Sequence, residues 1–180
     1  MKTIKKTNLT TSGHAFSLRS ILSVAFVTIM VMTGFHLTAS AQDTQDTIAP
    51  PFTQESAIAK LKINEGVWNT RDPEKIAALY SPDAEWRDRT NIIKGRVAII
   101  AYLKAQFAKE VDFKISKEVW GAKLIKNAIR FEEEWKDAKT GQWYHSYGVE
   151  VVLFNDQGII IERFASINDK PIKSTERSIN

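Results

Sequence analysis

The 180 residues contain no cysteine. That absence excludes disulfides, thiol nucleophiles and cysteine-ligated metal sites, and it removes the residue on which an exported protein could carry a lipid anchor. Histidine is nearly as scarce. Of three, His14 and His36 lie in the first 41 residues, so His145 alone remains and a histidine-cluster metal site is excluded. No metal and no cofactor is expected. Long apolar runs are also lacking: the longest, Ile21 to Phe35, has 15 residues broken by Ser23, Thr28, Thr33 and Gly34, short of the roughly 20 that cross a bilayer.

What that run does match is a secretory signal. Lys2, Lys5, Lys6 and Arg19 precede it, and Leu37-Thr38-Ala39-Ser40-Ala41 follows it as a small-residue cleavage site. Residues 1–41 therefore read as a signal peptide cut before Gln42, with a periplasmic or secreted product that no longer touches the membrane. The cut removes four of the 25 basic residues and none of the 21 acidic ones, leaving 21 of each. The pI of 9.2 belongs to the targeting segment, and nucleic acid is excluded as a partner.

Residues 42–52, with Asp, Thr, Gln and two prolines, read as a flexible, solvated linker, and residues 53–180 as one domain. From Thr53 the apolar period is helical: Ala57, Leu61, Asn64 and Trp68 fall on one stripe, Asn64 its one polar member. Asp72-Pro73-Glu74 opens a second helix carrying Ile76, Leu79 and Tyr80, which Ser81-Pro82-Asp83 ends in a turn. A short strand over 84–89 leads to a third helix marked by Val97, Ile99, Ile100, Leu103 and Phe107. Beyond it the period changes from 3.6 to 2, giving strands over 112–123, 126–136, 143–154 and 159–166 joined by glycine-ended turns, with a polar tail after Asn168. The pattern is α+β: three N-terminal helices packed on a curved, mixed or antiparallel sheet.

This order, with the segments Val67-Trp-Asn-Thr-Arg-Asp-Pro-Glu-Lys-Ile-Ala77, Tyr80-Ser-Pro-Asp83, Trp86-Arg87, Gly95-Arg96, Lys117-Glu118, Trp120, Arg130-Phe131, Glu134-Trp135, Ser146-Tyr-Gly148 and Ala165-Ser-Ile-Asn-Asp169, resembles the cone-shaped nuclear transport factor 2-like, or SnoaL-like, fold. It is most similar to a bacterial family of unknown function within that superfamily. The resemblance implies a pocket between helices and concave sheet face. By the pattern of the ketosteroid isomerases of the same architecture, counting from Asp83 implies Asp88 as a general base. Counting back from Gly158 implies Glu150 as a protonated hydrogen-bond donor, and Asn64 falls where those enzymes carry a tyrosine.

Each candidate has a structural reading beside the functional one. Asp88 can pair with Arg87 or Arg89 at a strand end. In the simplest register Glu150 lies opposite Arg163, and His145 opposite Glu133 on a solvated outer face. Trp68, Trp86 and Trp120 serve equally as core or pocket wall. Tyr80 and Arg130 complete the candidate lining, Arg130 as a member of either a salt-bridge ladder or a polar concavity. Three expectations follow: an exported domain binding a small apolar or amphipathic molecule, a cofactor-free acid–base enzyme acting on an apolar carbonyl compound through Asp88 and Glu150, or a ligand-free module that forms a homodimer through the outer sheet face.

Overall fold

The computed structural model describes residues 48–179; the expected signal peptide and the first part of the expected linker lie outside them. Helix α1 spans Gln54–Asn69 and begins where the sequence offers a cap: the Thr53 side chain accepts from the Ser56 N–H, and Ser56 answers it reciprocally. Ala57, Leu61 and Trp68 are buried along its inner stripe, with Asn64 half-buried among them. Helix α2, Pro73–Ala78, is capped by Asp72, whose carboxylate accepts from the Glu74 and Lys75 N–H groups.

Strand β1 runs over Tyr80–Asp88, β2 over Asn91–Lys94, and helix α3 over Arg96–Lys109, burying Ile99, Leu103 and Phe107. Four long strands follow: β3 Glu110–Lys123, β4 Lys126–Asp137, β5 Trp143–Phe154 and β6 Ile160–Ile172. They form one mixed sheet in the order β2-β1-β6-β5-β4-β3, in which β1 and β6 are parallel and every other pair antiparallel. The helices lie against one face. The inward rows of that face, Phe113-Ile115-Lys117-Val119 on β3 and Asn127-Ile129-Phe131-Glu133-Trp135 on β4, are buried without a break.

The structure corrects several boundaries. Ser81-Pro82-Asp83 is strand rather than turn: β1 starts at Tyr80, which pairs with Ile160, and β2 joins the ladder only from Glu85. Pro82 is thus exposed on a free edge, where its missing N–H costs nothing. Strand β2 gave no signal because it is four residues long and its turn is Arg89-Thr90, with Arg89 at φ 55° instead of a glycine. The first part of the tail after Asn168, Asp169 to Ile172, is the end of β6, pairing through Ile172 with Trp143. It looked like loop because Asn168 to Pro171 are exposed. The linker also ends early, since Phe52 is 7% exposed, packs edge-on against Phe154, and donates its N–H to the Leu124 carbonyl at 2.9 Å.

One register difference reassigns side chains to faces. Glu134, not Glu133, lies opposite His145. A shift of one residue exchanges the two faces of a strand. Glu133 therefore points inward, while His145 sits on the outer face with Nε2 2.8 Å from Glu132 and Nδ1 3.1 Å from Glu134.

Candidate functional site

Two adjoining features occupy the space between helices and sheet: an apolar cavity and a buried cluster of charges, with Glu150 belonging to both. The cluster is built from strand alternation. Asp88 on β1, Lys117 on β3, Glu150 on β5 and Arg163 on β6 are all inward positions and all under 10% exposed. Arg163 bridges the carboxylates, with Nη1 2.5 Å from Asp88 Oδ2 and Nε 2.6 Å from Glu150 Oε2. Lys117 Nζ donates to the other Glu150 oxygen at 2.9 Å, and the Tyr102 hydroxyl donates to Asp88 at 3.1 Å.

Two carboxylates therefore meet two cations, the arrangement that lets buried charges persist. Aromatic faces complete their surroundings. Trp68 and Trp86 stack at 5.9 Å; the Arg163 guanidinium lies 4.9 Å from the Trp86 ring centre, and Lys117 Nζ 4.9 Å from that of Trp68. Tyr80 packs edge-on against Trp86, and burial raises its hydroxyl above the ordinary phenol range. Burial alone would raise the Glu150 carboxyl, but Lys117 and Arg163 outweigh it and bring it down to about 2. Glu133, at the edge of the cluster, behaves oppositely: burial pushes it up to about 8.

The cavity has a volume of about 90 Å³ and lies between α1, the end of α2 and the inward faces of β4, β5 and β6. Leu61, Leu79, Ile129, Val152, Phe154 and Ile160 supply its apolar wall. Its polar groups are few: Lys60 and Asn64 from α1, Asn127 from β4, and the Glu150 carboxylate. The side-chain oxygens of Asn64 and Asn127 are buried, and no protein group among the described residues donates to either. Burial also lowers the half-exposed Lys60 amine below the usual lysine range.

Of the candidates read from the sequence, Asn64 and Glu150 meet at this cavity. Asp88, Trp68, Tyr80 and Trp86 are not among its lining residues; they surround Arg163 instead. Glu150 is held ionised, so the expected protonated donor is corrected: its proton is displaced by two cations. Trp120 and Arg130 lie on the opposite face of the sheet. Trp120 is 64% exposed beside a bulge between Val119 and Gly121, and Arg130 pairs with Glu132 and Glu118. Both alternate with inward neighbours, so the pleat turns them outward. Asn127, Lys117 and Glu133 were missed, although all three interrupt otherwise apolar inward rows. Lys60 had no signal, being a lysine on a helix flank.

Sheet order, parallel β1–β6 pairing and the placement of helices are those of a nuclear transport factor 2-like fold. The model of the family described as protein of unknown function DUF1348 matches residues 50–180, and the chain belongs to that family. No curated protein matches the sequence. Among solved structures it is similar to the epoxide hydrolase/cyclase-like enzyme SalBIII of pyran ring formation in salinomycin, at 14% identity and TM-score 0.57 over 63% of this chain and 92% of that one. A putative isomerase from Bacillus subtilis matches at 17% identity and TM-score 0.54, over 65% and 90% of the two chains. An NTF2-like protein of unknown function from an Exiguobacterium species matches at 18% and 0.54, over 62% and 99%. At such identities the likeness is one of fold.

Proposed function

We propose that this SnoaL-like domain is exported to the periplasm or beyond and binds a small apolar or amphipathic molecule in the cavity between α1, α2 and the concave sheet face. The cavity itself carries the reading, being apolar in its walls with a few convergent polar groups, the usual composition of a small-molecule site. That a cyclase-like enzyme and a putative isomerase share this fold supports a small-molecule role, without naming a reaction. Binding is favoured over proton transfer because Asp88 is engaged by Arg163 away from the cavity lining, and Glu150 stays ionised across the physiological range. The test is methyl NMR of the protein under xenon, which enters apolar cavities. Selective shifts of the Ile129, Val152 and Ile160 methyls are expected; unmoved methyls overturn the reading. N-terminal sequencing of the exported product should begin at Gln42.

A second reading concerns the outer face, and it supports a homodimer. Trp120 (64% exposed), Tyr147 (44%), Val149 (50%) and Val151 (41%) form an apolar patch around a groove of about 230 Å³. Val149→Glu should lower the mass seen by light scattering from two chains to one. A parent protein that is already monomeric removes this reading.

A further inference from the structure

The polar groups of the cavity are unbalanced, and the imbalance bears on what it holds. Asn127 is 2% exposed and fixed at the start of β4, beside the β3–β4 turn, opposite Val152 on one side and Ala122 on the other. Its amide oxygen nonetheless has no donor among the described residues, and neither does that of Asn64 on the facing helix wall. An unmet buried acceptor costs about 1–3 kcal/mol, and such groups are rare enough in folded proteins to require a reason. Here two occur at one cavity, from different elements.

Resting on the binding reading above, we infer that the cavity takes a small neutral alcohol, whose single O–H is shared as a three-centre bond between the Asn64 and Asn127 side-chain oxygens while its aliphatic body lies against Leu79, Ile129 and Val152. Charge decides against the alternatives. A carboxylate would face three acceptor groups, the two amide oxygens and Glu150, whose own oxygens are already occupied by Lys117 and Arg163. Lys60 and Glu150 give the lining one charge of each sign, so an ammonium loses to Lys60 what it gains from Glu150 and has no advantage over a neutral donor. An ether or hydrocarbon fits the walls but leaves both oxygens unmet. Size follows from volume: since an apolar cavity of about 150 Å³ holds benzene, 90 Å³ suits a body of roughly two or three carbon atoms beside the hydroxyl.

The test uses isomers that differ only in the donor. 1-Propanol and methoxyethane share one formula, but only the first has an O–H; 1-propylamine and propanoate supply the two charges. Titrated into the protein while the Ile129, Val152 and Ile160 methyls are followed by NMR, 1-propanol should bind roughly ten-fold more tightly than methoxyethane and than either ion. Asn127→Leu should reduce that preference to about two-fold or less while ether binding persists. Asn64→Leu, on a half-exposed helix position, provides the same readout should the buried variant fail to fold. Equal binding of alcohol and ether, the result expected if water serves these oxygens, overturns the alcohol inference and leaves the binding reading standing. Tighter binding of the amine or the acid also overturns it. Methyls unmoved by all four probes and by xenon sink the binding reading itself, and this inference with it.

Discussion

Arg163 reaches Glu150 on a diagonal: its Nε is 2.6 Å from the carboxylate, although the residue directly opposite Glu150 is Ala165 and Arg163 itself faces Val152. The hairpin closes on Phe154 and Ile160, one residue off the simplest register, and the irregularity between Leu153 and Phe154 adds a second; the two together preserve the face and let Arg163 reach Asp88 as well. Removing it strands two buried carboxylates. Arg163→Met should destabilise the fold by about 3–5 kcal/mol, read from urea midpoints, whereas adding Asp88→Asn and Glu150→Gln should recover part of that loss. A loss under about 1 kcal/mol would show that the cluster is dispensable.

Glu133 makes stability depend on pH in the direction opposite to the paired carboxylates. Burial, reinforced by Glu110 and opposed by Arg163, raises its folded pKa to about 8 from an ordinary 4.5. Between those values the folded chain holds a proton that the unfolded chain has released, so this contribution is full below about 4.5 and lost as pH rises toward about 8. Glu133→Gln should flatten the decline and make the variant the more stable protein at pH 8, by roughly 1–3 kcal/mol. Parallel stability curves from pH 5 to 8 would contradict this.

Glu150 dominates at the acid end. Its carboxyl lies at about 2 in the fold, so the stability it contributes is present above its ordinary value of 4.5 and lost as pH falls toward about 2. Glu150→Gln should remove much of the acid sensitivity in that window, at the expense of stability at pH 7, where Lys117 and half of Arg163 lose their partner. Thermal melts at pH 3 and 7 provide the comparison.

Gly148 is required by a neighbour rather than by its backbone. It faces Phe131 across β4 and β5, and a Cβ there would fall within the phenyl ring. Gly148→Ala should cost about 1–3 kcal/mol in chemical denaturation, and combination with Phe131→Leu should cost less than the sum of the two changes.

Asn127→Leu should stabilise the unliganded protein by about 1 kcal/mol, since it exchanges an unmet acceptor for apolar contact at similar volume. A rise in melting temperature accompanied by loss of alcohol preference would be the signature of a residue kept for binding at a stability cost. A fall in melting temperature would mean that the amide has a structural partner.

Local patterning made the elements legible: Thr53 and Asp72 as caps, the Ala57-Leu61-Trp68 stripe, and the alternation along β3 to β5 all follow from side-chain shape and period. It also marked Asn64, an amide on an apolar stripe, as a residue needing explanation, and the structure sets it at the cavity with its oxygen unmet. Periodicity does not carry register. The pairing of Glu134 rather than Glu133 with His145, the diagonal between Arg163 and Glu150, and the outward turn of Trp120 at a bulge depend on where two strands meet, which loop length and distant packing decide together. The same holds for charge state. Glu133 and Glu150 are the same residue type on adjacent strands of one interior, and only the three-dimensional placement of Lys117 and Arg163 separates a carboxyl at about 8 from one at about 2. Sequence determined which elements would form, because period and caps are local; the tertiary structure decided which faces Glu133, Trp120 and Arg130 would take and which inward residues would meet, because both depend on register.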